Sequence, residues 1–151
     1  MNRIVIIALA LASFGTVHSA SAQTPITQAD IPFSFSVNGV VLPAGHYVVG
    51  VLSPCMLKVW SPGQASAAMV LSHAGGKQAN GVSKLVFEKY GDQYFLHEVV
   101  YPLSFIDAVI TPSKQEEKAH IELAKANGQP MVVAIETDGG SAPQKASRAG
   151  L

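Results

Sequence analysis

The sequence predicts a mainly β protein, an antiparallel β-sandwich or small barrel of about six to eight strands with one C-terminal helix. Three observations predict it: short segments that alternate apolar and polar residues, turn signals about every eight to twelve residues, and a single late helix-capping pattern. Of the 151 residues, 48% are apolar and 13% charged, and the formal net charge is zero. This composition argues against a charge-rich disordered chain. It also argues against nucleic acid as a partner, because phosphate binding needs a surplus of Lys and Arg.

The N-terminus carries the pattern of an export signal. A short positive segment precedes an uninterrupted apolar run over 4–12, and the small residues 20–22 match a signal-peptidase site. The run is too short for the ~20 apolar residues of a spanning helix. The sequence therefore predicts a signal peptide over 1–22 that is cleaved near Ala22-Gln23. We expect a periplasmic or secreted protein with no stable membrane span after cleavage.

The rest of the chain predicts a single β-rich domain over 23–138. Its first residues, 24–30, are interpreted as a polar lead-in, and alternation with period two begins at 31–37. Asn38-Gly39 then provides a two-residue hairpin turn, because both residues tolerate positive φ. Further short β-rich segments occur at 40–42, 46–52, 56–60, 67–71 and 131–135.

The clearest hairpin joins 84–90 to 93–101 through Gly91-Asp92. A two-residue loop pairs Phe87 with Leu96. The predicted faces are then Leu85, Phe87, Tyr94 and Leu96 on one side, and Val86, Tyr90, Phe95 and Val99 on the other. Because both faces carry large apolar groups, we expect the hairpin to lie between two layers.

The C-terminal part predicts one helix and a tail. Ser113, with Glu116 three residues later, fits a capping box, and residues 114–126 follow without a helix breaker. The apolar stripe of this segment is thin, so we expect the helix to cover a sheet edge. Residues 139–151 are rich in Gly, Ser and Ala and predict a disordered tail.

The sequence offers no motif for catalysis, a cofactor or a metal. The histidines share no ligand spacing, and no nucleophile elbow of the form GxSxG is present. The sole cysteine, Cys55, is either buried or exposed and able to pair between chains, and its apolar neighbours favour burial. We therefore expect a protein that is not an enzyme and that holds no cofactor and no metal.

Binding is the activity that these observations leave open. The candidate binding surface consists of four aromatic residues: Trp60, Tyr90, Tyr94 and Tyr101. The alternative is that most of these rings belong to the core. Edge strands offer a second route, since they can recruit another chain by strand addition. The expected role is binding or structural association with another envelope or extracellular protein.

Two other hypotheses compete with this role. One is a carrier of a small apolar ligand, which requires an internal cavity lined by Phe87, Leu96 and Val99. The other, weaker, is a hydrolase with a non-standard site, which requires a concave cluster of Glu88, Glu98 and His97.

Three stretches of the chain together carry a resemblance: PFSF at 32–35 with LPAGHY at 42–47, LVFEKYGDQYFL at 85–96, and the helix opening at 111–117. In this order they resemble a pattern in small uncharacterised secreted proteins of bacteria. The resemblance implies export but no activity and no functional residues. The chain departs from the pattern at 105–109, which is too apolar for a linker and is expected to add a strand.

Overall fold

The computed structural model describes residues 25–75, 82–101 and 106–141. The predicted signal peptide and residues 142–151 of the predicted tail lie outside the described residues. In chain order the elements are β1 (Pro25–Ile31), β2 (Phe35–Val37), β3 (Val40–Leu42), β4 (Gly45–Ser53), β5 (Met56–Trp60), β6 (Ala67–Gly75), β7 (Lys84–Tyr90), β8 (Gln93–Tyr101), β9 (Ile106–Ile110), α1 (Lys114–Lys125), β10 (Met131–Glu136) and β11 (Asp138–Ser141). The mainly β class with one C-terminal helix is confirmed, and the described strands outnumber the six to eight predicted.

The strands form two sheets that meet at two corners, and β6 belongs to both sheets. The first sheet has the order β11, β1, β4, β5, β6, and the second has the order β6, β9, β8, β7, β10. β6 pairs with β5 over its first half and with β9 over its second half, which is how a strand turns a corner between packed sheets. In the described part of the chain the strand path does not close into a barrel.

The second corner is built by β10 and β11, which Thr137 alone separates. β10 pairs with β7 of the second sheet and β11 pairs with β1 of the first. The backbone N–H of Thr137 donates to the carbonyl of Ser83 at 2.9 Å, and the hydroxyl of Thr27 donates to that of Thr137. This threonine therefore joins the edges of the two sheets.

One apolar core lies between the sheets and takes side chains from both. Its aromatic centre contains Phe35, Tyr47 and Phe87, which make edge-to-face ring contacts at 5.0 Å (Phe35–Tyr47) and 5.4 Å (Phe35–Phe87). The hydroxyl of Tyr47 donates to the carbonyl of Pro43 at 2.8 Å, so its polar end is satisfied at the edge of the core. The β2–β3 hairpin enters the core by pairing β2 in parallel with the start of β8.

The alternation of apolar and polar residues in the sequence predicted neither the first strand nor the last strand. Residues 25–31 form β1, not a polar lead-in, and its inward residues are Thr27, Ala29 and Ile31. Two of these three are small or polar, so the inward face carries almost no apolar signal. Residues 138–141 form β11 against β1, so the predicted disordered tail begins too early.

A β-bulge corrects the predicted faces of the 84–101 hairpin. Phe87 pairs with Leu96 as predicted, but Val86 pairs with Glu98, which leaves His97 as the extra residue. A bulge shifts the alternation by one residue. Val99 consequently lies in the core beside Leu85 and not on the outer face. The strand predicted at 105–109 is confirmed as β9.

The helix begins and ends as its capping residues require. The backbone N–H of Glu116 donates to the hydroxyl of Ser113 at 3.2 Å, and the backbone N–H of Ser113 donates in return to the Glu116 carboxylate. This completes the capping box. At the other end Asn127 takes positive φ and the N–H of Gly128 donates to the carbonyl of Leu123 at 3.0 Å. The helix lies against β7, on the outer face of the second sheet.

Candidate functional site

The outer face of the first sheet carries a row of large side chains on β5 and β6. These strands pair Met56 with Leu71 and Lys58 with Met69, and Trp60 lies at the end of the same row. The intervening residues of both strands point into the core. We call these five residues, Met56, Lys58, Trp60, Met69 and Leu71, the Trp60 face.

The indole ring of Trp60 extends over Gly50 of β4, the residue that pairs with Lys58. A Cβ placed on Gly50 of β4 would lie 3.2 Å from two atoms of the indole ring. The Nζ atom of Lys58 lies 5.4 Å from the ring centroid, at the distance of a cation–π contact. Glycine at position 50 and this lysine therefore fix the orientation of the ring.

Two apolar members of the Trp60 face are open to solvent. Met69 and Leu71 each expose 60% of their surface. The tip of the β2–β3 hairpin borders them, because the side-chain amide of Asn38 donates to the carbonyl of Met69 at 3.3 Å. Val40 and Val41 of β3 are exposed as well, and among the described residues β3 pairs with β2 alone. The apolar surface therefore reaches a free strand edge.

The structure does not bring the four predicted aromatic residues together. Tyr90 and Tyr101 are buried, and burial raises the pKa of both phenols. Tyr94 is half-buried and stacks on Phe33 with ring centroids 3.9 Å apart. Of the four, Trp60 alone lies on the outer face of the first sheet. Tyr90 and Tyr101 therefore belong to no exposed aromatic surface.

A second cluster lies between α1 and the outer face of the second sheet. It joins Glu88 of β7, His97 of β8 and Glu116 of α1, and we call these three residues the Glu–His cluster. One ligand atom of each residue lies within 4.8 Å of the other two. The bulge on β8 places His97 here, since Nε2 of its ring lies 3.7 Å from Oε1 of Glu88. Bulges often aim a side chain into a site in this way.

Burial dominates the electrostatics of the Glu–His cluster. Desolvation raises the pKa of the Glu116 carboxyl, and the N–H of Ser113 and the charge of His97 partly oppose this rise. The carboxylates of Glu88 and Glu117 add to it, because like charges disfavour ionisation. The hydroxyl of Tyr90 donates to Oε2 of Glu88, which leaves Oε1 facing His97.

A shallow depression of about 230 Å³ opens beside this cluster, lined by Tyr90, Pro112, Glu116, Glu117 and His120. Two of the three residues predicted for a hydrolase, Glu88 and His97, lie near it, whereas Glu98 is not part of the cluster. The sequence pattern predicted Glu116 only as a capping-box residue and did not predict its place in the Glu–His cluster. The thin apolar stripe of α1 is the signal that could have indicated this place, because the buried residue of this helix is Glu116.

Two further expectations concern the core and the cysteine. Cys55 is exposed in the turn between β4 and β5, so the prediction that it is buried is wrong. The apolar neighbours of Cys55 in this turn do not enclose the thiol.

Phe87, Leu96 and Val99, which would line a carrier's cavity, are almost completely buried within the core cluster. They pack against other core residues, among them Phe35 and Leu85.

In comparisons with known proteins, no family model, no curated protein and no solved structure matches this chain. The resemblance to small secreted bacterial proteins therefore stays a prediction. Within the described residues, no helix has the length and apolar character needed to cross a membrane.

Proposed function

We propose that this chain is an exported, non-enzymatic binding module that associates with another envelope or extracellular protein through the Trp60 face. The observation that carries the proposal is the contrast between the two outer faces. On the second sheet the large outward rings Tyr90 and Phe95 are buried on the side where α1 lies. On the first sheet Met69 and Leu71 are exposed. An apolar surface that the chain itself does not cover is typical of an interaction site.

The chemistry of the Trp60 face favours a protein as its occupant. It is built on paired strands and is therefore broad, whereas sites for small molecules are usually concave. Tryptophan and methionine are enriched at the centres of protein interfaces. Lys58 is the one charged residue of this face, so we expect the partner to offer an apolar surface with a carboxylate opposite Lys58.

Export supports the same role. The predicted signal peptide over 1–22 directs the chain to the cell envelope or the medium, where the expected partner is an envelope or extracellular protein. The free edge of β3 borders the Trp60 face and can extend the contact by strand addition.

The test places a photo-crosslinking amino acid at Met69 and, as a matched control, at Met131. Both are methionines on strands and they expose 60% and 61% of their surface, but Met131 lies on β10 at the edge of the second sheet. The mature protein is irradiated in native envelope and in culture medium, and the products are resolved by gel and mass spectrometry. We expect one discrete protein adduct from position 69 and not from position 131.

Two results would contradict the proposal. One is the lack of any adduct from position 69 in either envelope or medium. The other is the same set of adducts from both positions, which would indicate random collision. If the only adduct joins two copies of this chain, a second copy and not another protein occupies the Trp60 face. Sedimentation of the purified protein would then show a dimer.

A further inference from the structure

We propose that Glu88, His97 and Glu116 form a binding site for one divalent transition-metal ion of the zinc type. The three residues come from β7, β8 and α1, and their ligand atoms lie within 4.8 Å of one another. The site lies on the opposite sheet from the Trp60 face, so it goes beyond the binding role proposed above and stands independently of it.

The first argument is the buried carboxylate of Glu116, which His97 compensates only in part. Glu116 exposes only 5% of its surface. Among the described residues its carboxylate makes no ion pair with Lys or Arg. A buried carboxylate is costly unless it is paired, protonated or bound to a metal. A cation placed among the three side chains would compensate Glu116 and Glu88 together.

The second argument is the His97 imidazole, whose nitrogens make no hydrogen bond within the described residues. Nδ1 of His97 is buried and has no hydrogen-bond partner in the described part of the chain. Nε2 lies 3.7 Å from Oε1 of Glu88, which is longer than a hydrogen bond. Buried polar atoms in native proteins nearly always have a partner, and each exception calls for an explanation. A metal ion that takes Nδ1 as its ligand would give this buried nitrogen a partner.

The third argument is that both carboxylates are already oriented. The hydroxyl of Tyr90 donates to one oxygen of Glu88, and the backbone N–H of Ser113 donates to the carboxylate of Glu116. Such outer contacts hold ligands in place at metal sites. Ligands of a tetrahedral zinc ion lie roughly 3.3–3.6 Å apart, given bonds of about 2.0–2.2 Å. The ligand atoms, which lie within 4.8 Å of one another, must therefore approach by no more than about 1.5 Å to reach that spacing.

The donor set selects the metal. One imidazole nitrogen and two carboxylates suit zinc and its neighbours in the first transition row. Calcium takes about six to eight oxygen ligands, and magnesium requires an octahedral oxygen shell. Three protein ligands also leave one coordination position open beside the depression lined by Pro112 and His120.

The test measures binding of Zn²⁺ to the tag-free mature protein by isothermal titration calorimetry at pH 7.5, and the thermal midpoint with and without Zn²⁺. We expect one ion per chain and a raised midpoint, with no comparable effect of Ca²⁺ or Mg²⁺. Glu116→Gln and His97→Gln should each weaken binding at least about tenfold. Gln is accepted in a capping box, so Glu116→Gln keeps the helix start. His73→Gln, which changes an exposed histidine of β6, is the control and should bind as the unaltered protein does.

The outcomes separate the metal site from alternatives. Lack of stoichiometric Zn²⁺ binding overturns the proposal, and so does binding that survives both Glu116→Gln and His97→Gln. Equal loss in His73→Gln also overturns it, because it would show dispersed binding by surface histidines. The adduct formed at Met69 is not expected to depend on Zn²⁺, so failure here and failure of the binding role are distinguishable.

Discussion

Replacement of Phe87 by alanine tests whether the two sheets enclose one core. The Phe87 side chain exposes 0% of its surface, and its ring lies 5.3 Å from that of Phe33 and 5.4 Å from that of Phe35. Removal of a buried phenylalanine costs about 3–5 kcal/mol. The two edge-to-face contacts, each about 0.5–1.5 kcal/mol, place Phe87→Ala in the upper part of that range.

The assay is urea and thermal unfolding of the mature protein, followed by circular dichroism. With an unfolding entropy of about 2.1 cal/mol/K per residue, a domain of about 120 residues loses roughly 4 °C per kcal/mol, so we expect a fall of roughly 16–20 °C. Met69→Ala is the control, and it should change stability by no more than about 0.5 kcal/mol because Met69 is exposed. A loss below about 2 kcal/mol for Phe87→Ala, or a loss equal to that of the control, would refute a closed core at this position.

Three further predictions follow from the helix start, the exposed thiol and the buried phenols. Ser113→Ala should cost about 1 kcal/mol in urea unfolding whereas Ser113→Asp, which keeps a capping oxygen, should not; equal losses would contradict the cap. Under mild oxidation, Cys55 should give a disulfide-linked dimer on a non-reducing gel, and Cys55→Ser should stay monomeric; lack of the dimer would contradict the exposed position. Burial raises the pKa of Tyr47, Tyr90 and Tyr101, so the folded chain holds these protons to a higher pH than the unfolded chain. The contribution of these phenols to the free energy of unfolding should therefore be complete below about pH 10 and should fall as the pH rises further. An unchanged urea midpoint at pH 11 would contradict this prediction.

The fold class was predictable because most strands show their inward face in the sequence. β5 alternates cleanly, and the turn Gly91-Asp92 fixed the start of the β7–β8 register. β1 was not predictable, since Thr27 and Ala29 face the core and Thr27 satisfies its hydroxyl with Thr137 across the sheet corner. That partner is 110 residues away, and a local pattern cannot indicate it.

The two candidate sites were predictable to different degrees. Trp60 was named from its residue type, but its neighbours Met69 and Leu71 became part of a surface only through the pairing of β5 with β6. The Glu–His cluster depends on the bulge at His97, which the sequence does not mark, and on the packing of α1 over β7. Side chains from three elements meet there, so spacing along the chain carried no ligand pattern.

The most direct test of the proposed binding role is the affinity of two matched variants for the protein captured through position 69. Met69→Asp and Met131→Asp introduce the same charge at equally exposed methionines on different sheets. We expect Met69→Asp to weaken binding by about 2 kcal/mol or more, roughly 30-fold, because the new carboxylate must be desolvated in the contact and competes with the partner's carboxylate for Lys58 opposite it. Met131→Asp should bind as the unaltered protein does. Equal affinity of the two variants would contradict a contact through the Trp60 face.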